Sequence, residues 1–570
     1  MILIADFQVV SVYQRITLRW LHPAIALFVV LPFARPDRPN PVSREVPRLV
    51  VLVVFDQMRG DYLTRWDKLF VDGGFRELER NGARFQNCHY PYASTATGPG
   101  HTSIVTGANP RRHGIISNDW YDRSTGQTVY CVASDRYSQI PSLREGGQTK
   151  AGKRKKNDGG IGPERILLES FGDALKRATG GSGKVVSLSL KDRASACMGG
   201  RHPDACYWFC TDTGEFVTST YYRNALHPWV SMINAQRLAD RWYGQKWNRL
   251  HLDLDYKLYS GLDDVAGEGT GVSQGRTFPH LINGGEKQRG GKYYEALYNS
   301  PFANELLLEL TRRAIQAEQL GTRGVPDFLC ISFSANDPIG HTWGPDSQEV
   351  MDVTLRSDLL VKELIAYLDA KVGKGRYTLA LTADHGVCPL PELSSAQGKE
   401  ALRIPAERIL SQADAFLTKT FGVNGTDKPH WIEWPKDSWI YLNQDLLRER
   451  GLEPAHVETV LARWLKEQPG IWTAFTRNQL ANEPAANDEI GRRVWNSYYS
   501  ERSGDVVAVP KPYTLLTSRL TGTTHGTGHD YDTHVPLLIY GPGVCKGIRL
   551  KPVTPLAIPR IFARALGISS

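Results

Sequence analysis

The sequence has no apolar run long enough for a membrane span. An N-terminal stretch, Ala24-Ile25-Ala26-Leu27-Phe28-Val29-Val30-Leu31, stops at Pro32, well short of the roughly 20 residues a spanning helix needs. The eight cysteines form no CxxC pair and no zinc-finger spacing, which excludes a thiolate zinc module. No internal repeat is present, so the chain is not a repeat array. Nor is there a heavy surplus of one charge: +8 over 570 residues is dilute. It mildly favours anionic ligands and gives no reason to expect nucleic acid. With 41% hydrophobic and 22% charged residues, disorder is excluded as well.

What is present begins with a basic segment, Arg15, Arg19 and His22, ahead of the short apolar core. That order is the pattern of a secretory signal, with Ala34 as a candidate cut and an uncleaved anchor as the alternative. Residues 1–34 are therefore expected to be a signal peptide or anchor, and residues 35–47, rich in Pro and Arg, a linker. A periplasmic or secreted location follows from this expectation, with no membrane contact beyond a possible N-terminal anchor. An even cysteine count permits disulfides there; Cys206 and Cys210 could pair across a local turn, and Cys330 reads as a buried thiol. The length allows several domains or one α/β domain with insertions.

Arg48 to Phe55 is a continuous apolar run that ends in Asp56. Strands of a buried parallel sheet look like this, and such sheets place ligand groups at the carboxyl ends of their strands. Lys184–Leu190, Asp327–Phe333 and Tyr377–Thr382 repeat the pattern. They run into Lys191-Asp192-Arg193, Asn336-Asp337 and Asp384-His385-Gly386. Pro536–Gly541 reads as a late strand. Helices are expected from Ser300-Pro301 through Ala314 and from Ser347 through Ala370. The alternation predicts an α/β sandwich with a mostly parallel central sheet flanked by helices. Two stretches look like additions: about 200–296, with a hairpin from Tyr207 to Tyr222, and about 388–510, which is irregular. The basic run Lys150–Lys156 reads as a solvated loop.

The segment Ala93-Ser94-Thr95-Ala96-Thr97-Gly98-Pro99-Gly100-His101 packs small residues around a threonine at a helix start. Free N–H groups and the helix dipole suit an anion there, although a capping threonine explains the same pattern. The polar strand ends add Asp56, Asp337, His341, Asp384 and His385, with His525, His529 and His534 later in the chain. Carboxylate oxygen and imidazole nitrogen together suit zinc and similar first-row ions. Asp337-x-x-x-His341 can reach one ion across a helical turn. Asp384 and His385 would face opposite sides of a regular strand, so they converge only if the backbone turns, which Gly386 permits.

These residues carry a family resemblance. Phe55-Asp56, Thr97-Gly98-Pro99-Gly100-His101, His113 through Trp120, Lys191-Asp192-Arg193, Asp337 through His341, Ala383 through Gly386 and Thr524-His525-Gly526 resemble the motifs of the alkaline phosphatase superfamily. Within it the chain resembles the type I phosphodiesterase/nucleotide pyrophosphatase grouping, and most of all the phosphate-irrepressible, PafA-like alkaline phosphatases. The resemblance runs from about residue 48 to the end and keeps the motif order. It implies one catalytic domain over 48–570 with the two insertions, and a site for two zinc ions. One ion would be held by Asp337, His341 and His525, the other by Asp56, Asp384, His385 and the Thr97 oxygen. Thr97 would be the nucleophile, and Asn118, Lys191 and Arg193 would hold the phosphoryl oxygens.

The implied activity is hydrolysis of small phosphate monoesters with broad specificity, through a phosphothreonine, by a chain expected to be monomeric. A phosphodiesterase or nucleotide pyrophosphatase on the same scaffold is the alternative. Phosphonate or sulfate ester cleavage is more distant, since the sulfatases of the superfamily use a modified Cys or Ser. A non-catalytic metal-binding protein is a further alternative, but such a protein needs no activated hydroxyl.

Overall fold

The computed structural model describes residues 46–142, 160–422, 430–433 and 438–569. The N-terminal signal and linker expectations and the basic run Lys150–Lys156 lie outside these residues. Ten strands form the main sheet: β1 (Leu49–Phe55), β2 (Ala83–Phe85), β3 (Gln139–Ile140), β4 (Val185–Ser189), β5 (Ala205–Cys210), β6 (Glu215–Ser219), β7 (Asp327–Phe333), β8 (Tyr377–Thr382), β9 (Leu537–Tyr540) and β10 (Gly547–Arg549). Their order is β10-β2-β9-β8-β1-β7-β4-β5-β6-β3. The middle five, β8, β1, β7, β4 and β5, run parallel, and antiparallel pairs close both sides.

The core strands are largely apolar because both faces are covered, β1 at every position. All seven residues of β1, from Leu49 to Phe55, are buried, as are all seven of β7. β1 sits between β7 and β8, with Val51 opposite Leu329 on one side and Leu379 on the other. Parallel alignment brings the carboxyl ends of β8, β1, β7 and β4 to one edge. The helices that bear on the site are α1 (Thr97–Thr106), α2 (Asp192–Gly199), α3 (Phe302–Ala317), α4 (Asn336–Trp343) and α5 (Gln348–Leu368), of which α2 follows the end of β4 and α4 the end of β7. Ser347 caps α5, its hydroxyl accepting from Val350 N at 3.1 Å. α1 packs on α2.

Three expectations are corrected. The hairpin within 207–222 does form, but as β5 and β6, so it extends the main sheet and is no separate addition. The stretch 388–510 is more regular than its sequence suggested. Trp439–Ile440, Ile471–Thr476 and Val506–Pro510 make a three-stranded antiparallel sheet. It has its own apolar cluster with helices Ala406–Phe421 and Pro454–Lys466, including Leu417, Leu461 and Val506. Finally, Cys206 and Cys210 cannot pair. Both lie on β5, where four residues separate their backbones by about 13 Å, beyond disulfide reach. Cys330 is a buried thiol, as read.

Leu329 packs at the centre of β7 between Val51 and Val186. Leu329→Ala is expected to cost about 3 kcal/mol, read as a lower guanidinium unfolding midpoint with an unchanged denaturant slope.

Candidate active site

Each strand end supplies one part of the site. Asp56 follows β1, Lys191 and Arg193 follow β4, Asp337 and His341 lie on α4 after β7, and Asp384 and His385 follow β8. Thr97 opens α1, and His525 comes from the loop before β9. All of these converge, and with Asn118 they surround or underlie a cavity of about 950 Å³. Lys191 Nζ lies 2.7 Å from Asp56 Oδ2, 2.7 Å from Asp337 Oδ2 and 3.3 Å from Thr97 Oγ1. Arg193 Nη2 is also 3.3 Å from Thr97 Oγ1. Asn118 Oδ1 accepts from Gly98 N at 2.8 Å, which leaves its amide N–H donors for another partner.

The three histidines share one design. His341 Nδ1 bonds the Thr523 carbonyl at 2.7 Å, His385 Nδ1 the Gly386 carbonyl at 2.9 Å, and His525 Nδ1 the Thr95 carbonyl at 2.6 Å. A carbonyl only accepts, so each Nδ1 carries the hydrogen and each neutral ring keeps its lone pair on Nε2. These lone pairs face carboxylates. His341 Nε2 is 3.2 Å and His525 Nε2 3.6 Å from Asp337 Oδ1, and His385 Nε2 is 3.3 Å from Asp384 Oδ2 and 3.6 Å from Asp56 Oδ1. Lone pair against carboxylate repels unless a positive charge lies between them.

Burial and the neighbouring His525 hold His385 well below the ordinary imidazole range, and burial also lowers His341. Burial opposes charge on His525 too, but Asp337 prevails and raises it. Burial and Asp384 push Asp56 up, the mark of a carboxylate short of countercharge. Burial opposes ionisation of Asp337 as well, yet Lys191 and His341 hold it well below the carboxylate range.

The donor set therefore fits divalent cations. Asp56 Oδ1 and His385 Nε2 are buried without a hydrogen-bond partner, and the carbonyls of Thr95, Thr523 and Gly386 orient the imidazoles in the manner of metal ligands. Ligand atoms of Asp337, His385 and His525 lie within 4.8 Å of one another, and so do those of Asp56, His101 and Asp384. His385 thus stands between both groups, with its ring 3.6 Å from that of His525. His529 and His534 lie elsewhere: His529 Nε2 bonds the Pro510 carbonyl, and His534 stacks on His89.

Sequence reasoning missed Gln57. Its backbone is left-handed, at φ 68°, so its N–H reaches Asp384 Oδ1 at 3.1 Å while its amide donates to Asp337 Oδ1 at 2.8 Å. A positive φ on a non-glycine leaves no mark in the sequence. It also missed the support of Arg193, whose Nη1 is 3.4 Å from Tyr130 Oη, itself bonded to Asp192 at 2.5 Å.

Fold and site together define an α/β protein with a buried cluster of carboxylates and imidazoles beside a threonine hydroxyl. A family model described as type I phosphodiesterase / nucleotide pyrophosphatase matches residues 50–532. The chain is 33% identical to alkaline phosphatase PafA of Elizabethkingia meningoseptica over 541 residues, 94% of this chain and 93% of that one. It is 34% identical to alkaline phosphatase PhoV of Synechococcus elongatus over 518 residues, 89% of this chain and 88% of that one. The crystal structure of wild-type PafA matches with TM-score 0.83 at 33% identity, covering 92% of this chain and 96% of that chain. A PafA variant altered at a threonine, an asparagine, a lysine and an arginine matches with TM-score 0.81 at 32% identity. The chain belongs to the type I phosphodiesterase / nucleotide pyrophosphatase family, in the PafA-like part of the alkaline phosphatase superfamily.

Helix α1 docks directly on a ligand candidate. A Cβ on Gly100 would lie 2.3 Å from the Asp384 carbonyl oxygen and 2.7 Å from its Cβ. Gly100→Ala is expected to push Thr97 away from Asp384 and lower kcat/KM on a phosphate ester by about 10²-fold, with an unfolding midpoint lowered by an overpacking cost of about 1–3 kcal/mol.

Proposed function

We propose that the chain is a zinc-dependent phosphate monoester hydrolase of broad specificity that works through a phosphothreonine on Thr97. The observation that carries this reading is the set of three Nε2 lone pairs turned onto buried carboxylates beside one hydroxyl. Asp337, His341 and His525 would hold one ion, and Asp56, Asp384, His385 and the Thr97 oxygen the other. Bound there, two zinc ions supply Lewis acidity, lowering the pKa of the hydroxyl and stabilising the departing oxygen.

The chain's own residues do the rest. Thr97 Oγ1 forms its bond to phosphorus as the ester bond breaks in line with it, and water then frees Thr97 from the side the alcohol left. Lys191 and Arg193 both reach the Thr97 hydroxyl, so they flank the phosphorus acceptor and hold the non-bridging oxygens. The guanidinium is kept in place by Tyr130 and Asp192, and the Asn118 amide adds a neutral donor. A dianionic monoester matches two fixed cations better than a diester, which carries one charge less and a second ester group. The altered residues of the PafA variant support these roles. Its threonine and asparagine stand as far apart in sequence as Thr97 and Asn118, and its lysine and arginine, like Lys191 and Arg193, flank one residue.

Residues 1–34 are read as a leader or anchor, 35–47 as a linker and 48–570 as the catalytic domain. The chain is read as a monomer working in the periplasm or outside the cell. Among the described residues no helix is long and apolar enough to cross a membrane. The family's description also names diester chemistry, so a phosphodiesterase is the competing reading.

Comparing kcat/KM for p-nitrophenyl phosphate and bis-p-nitrophenyl phosphate separates the two. The monoester is expected to be faster, and a faster diester overturns the proposal. Lys191→Ala and Arg193→Ala are each expected to lower monoester kcat/KM by about 10²- to 10³-fold and diester kcat/KM by less; equal losses on both would remove the specificity argument. Thr97→Ala is expected to yield no phosphoryl-enzyme on acid quench. Dialysis against a chelator is expected to abolish activity and zinc to restore it, and full activity in a metal-free chain would refute the zinc requirement.

A further inference from the structure

His101 is fully buried in the first turns of α1. Unlike the three cavity histidines, it spends both ring nitrogens inside the protein. Nδ1 lies 2.9 Å from the Thr97 carbonyl oxygen and 3.2 Å from Asp384 Oδ2, and Nε2 lies 2.9 Å from Ser332 Oγ. The carbonyl only accepts, so Nδ1 carries a hydrogen. In the neutral ring Nε2 then accepts, and the Ser332 hydroxyl must donate to it.

That direction propagates through the strand ends. Ser332 Oγ is 3.3 Å from Ser334 Oγ, which is 3.2 Å from Ser189 Oγ, which accepts from Lys191 N at 3.0 Å. All three serines are fully buried. One consistent chain is this: Lys191 N–H donates to Ser189, Ser189 to Ser334, Ser334 to Ser332, where the Ser332 carbonyl at 3.4 Å is a second acceptor for the same hydroxyl, Ser332 to His101, and His101 to Thr97. Each hydroxyl donates once and accepts once, and bonds aligned in this way polarise one another. The backbone of the phosphate-holding lysine and that of the nucleophile are thereby referenced to one polar thread beneath the cavity.

We infer that His101 is a positioning residue and not a metal ligand: its Nδ1–H holds the Thr97 carbonyl with the Asp384 carboxylate 3.2 Å from the same nitrogen, and its Nε2 anchors the ring to the ends of β7 and β4. The imidazole lies as close to Asp56 and Asp384 as a ligand would, but its lone pair points at Ser332. Asp384 Oδ2 lies between the two imidazoles, 3.2 Å from His101 Nδ1 and 3.3 Å from His385 Nε2, and takes no hydrogen bond among the described residues. This inference rests on the two-ion phosphatase reading above and assigns a residue that reading leaves without a role.

The two amide isosteres separate the two nitrogens. His101→Asn keeps a nitrogen at the Nδ1 position, and His101→Gln keeps one at the Nε2 position. Zinc per chain is measured by mass spectrometry after dialysis against graded chelator, with folding followed by circular dichroism. His101→Asn is expected to release zinc within about threefold of the parent chelator concentration, and His101→Gln at a concentration at least about tenfold lower. If His101→Gln does not fold, His101→Ala, which lacks both nitrogens, replaces it and is expected to release zinc at a chelator concentration at least about tenfold lower than the parent.

Equal retention by the Gln variant and the parent overturns the inference. So does equal loss in the Asn and Gln variants, which would make the imidazole itself a ligand. A parent chain that binds zinc and shows the split but hydrolyses no phosphate ester sinks the phosphatase reading alone. An active parent without the split sinks this inference alone.

Discussion

Three backbone carbonyls, those of Thr95, Thr523 and Gly386, decide the chemistry of this protein. Each takes the Nδ1 hydrogen of one histidine, and each thereby turns a basic nitrogen toward a buried carboxylate. Left alone, such an arrangement costs free energy, because buried charge and facing lone pairs have no solvent to relieve them. Lys191 offsets part of the cost by bridging Asp56 and Asp337. It cannot serve Asp384 as well, and the raised pKa of Asp56 reflects what remains unbalanced. Positive charge is what the cavity lacks, and the ligand types present are those of zinc chemistry.

Such a cavity has to be assembled from distant parts of the chain. Parallel strands do this economically, because every carboxyl end falls on one edge and each end begins a loop or helix free to carry function. Close backbone contact then fixes the loops on one another. At Gly386 a Cβ would meet the Tyr531 carbonyl at 2.1 Å, and Gly386 N donates to the Asp532 carbonyl at 2.7 Å. The turn after β8 is thus laid against the loop that carries His525. Its side-chain counterpart is Asp532, which accepts from Gly526 N and Thr527 N.

Much of this was legible in the residues themselves. β1, β7 and β8 announce themselves because strands buried on both faces are mostly apolar, so the charged Asp56, Asp337 and Asp384 stand out just beyond their ends. The convergence of Asp384 and His385 was legible as a condition, a turned backbone at Gly386. The choice of His525 over His529 and His534 came from the Thr-His-Gly resemblance, since three histidines within ten residues give spacing nothing to work with. What stayed hidden was set by long-range packing. Gln57 acts through a left-handed backbone, and His101 through hydroxyls on two other strands. The small sheet within 388–510 was hidden because its strands are short and its helices bury only one stripe. The supposed Cys206–Cys210 turn failed because the residues between them, Tyr207, Trp208 and Phe209, are strand formers.

Lys191 and Arg193, though two residues apart, are held by different means, and this bears on substrate preference. Lys191 spends its charge on two carboxylates at 2.7 Å each. Arg193 is held by a phenol and forms no ion pair among the described residues, and the phenol's proton goes to Asp192. Its delocalised charge therefore stays largely available to a ligand at Thr97, in a buried setting where charge–charge attraction is poorly screened. The two cations thus differ in setting: the lysine balances the acids that frame the Thr97 hydroxyl, and the arginine is left free to face whatever is brought to that hydroxyl. A substrate that brings two negative charges next to a guanidinium gains more than one that brings a single charge, and the rigid Tyr130–Asp192 support lets that gain fall on the transition state without a rearrangement to discount it.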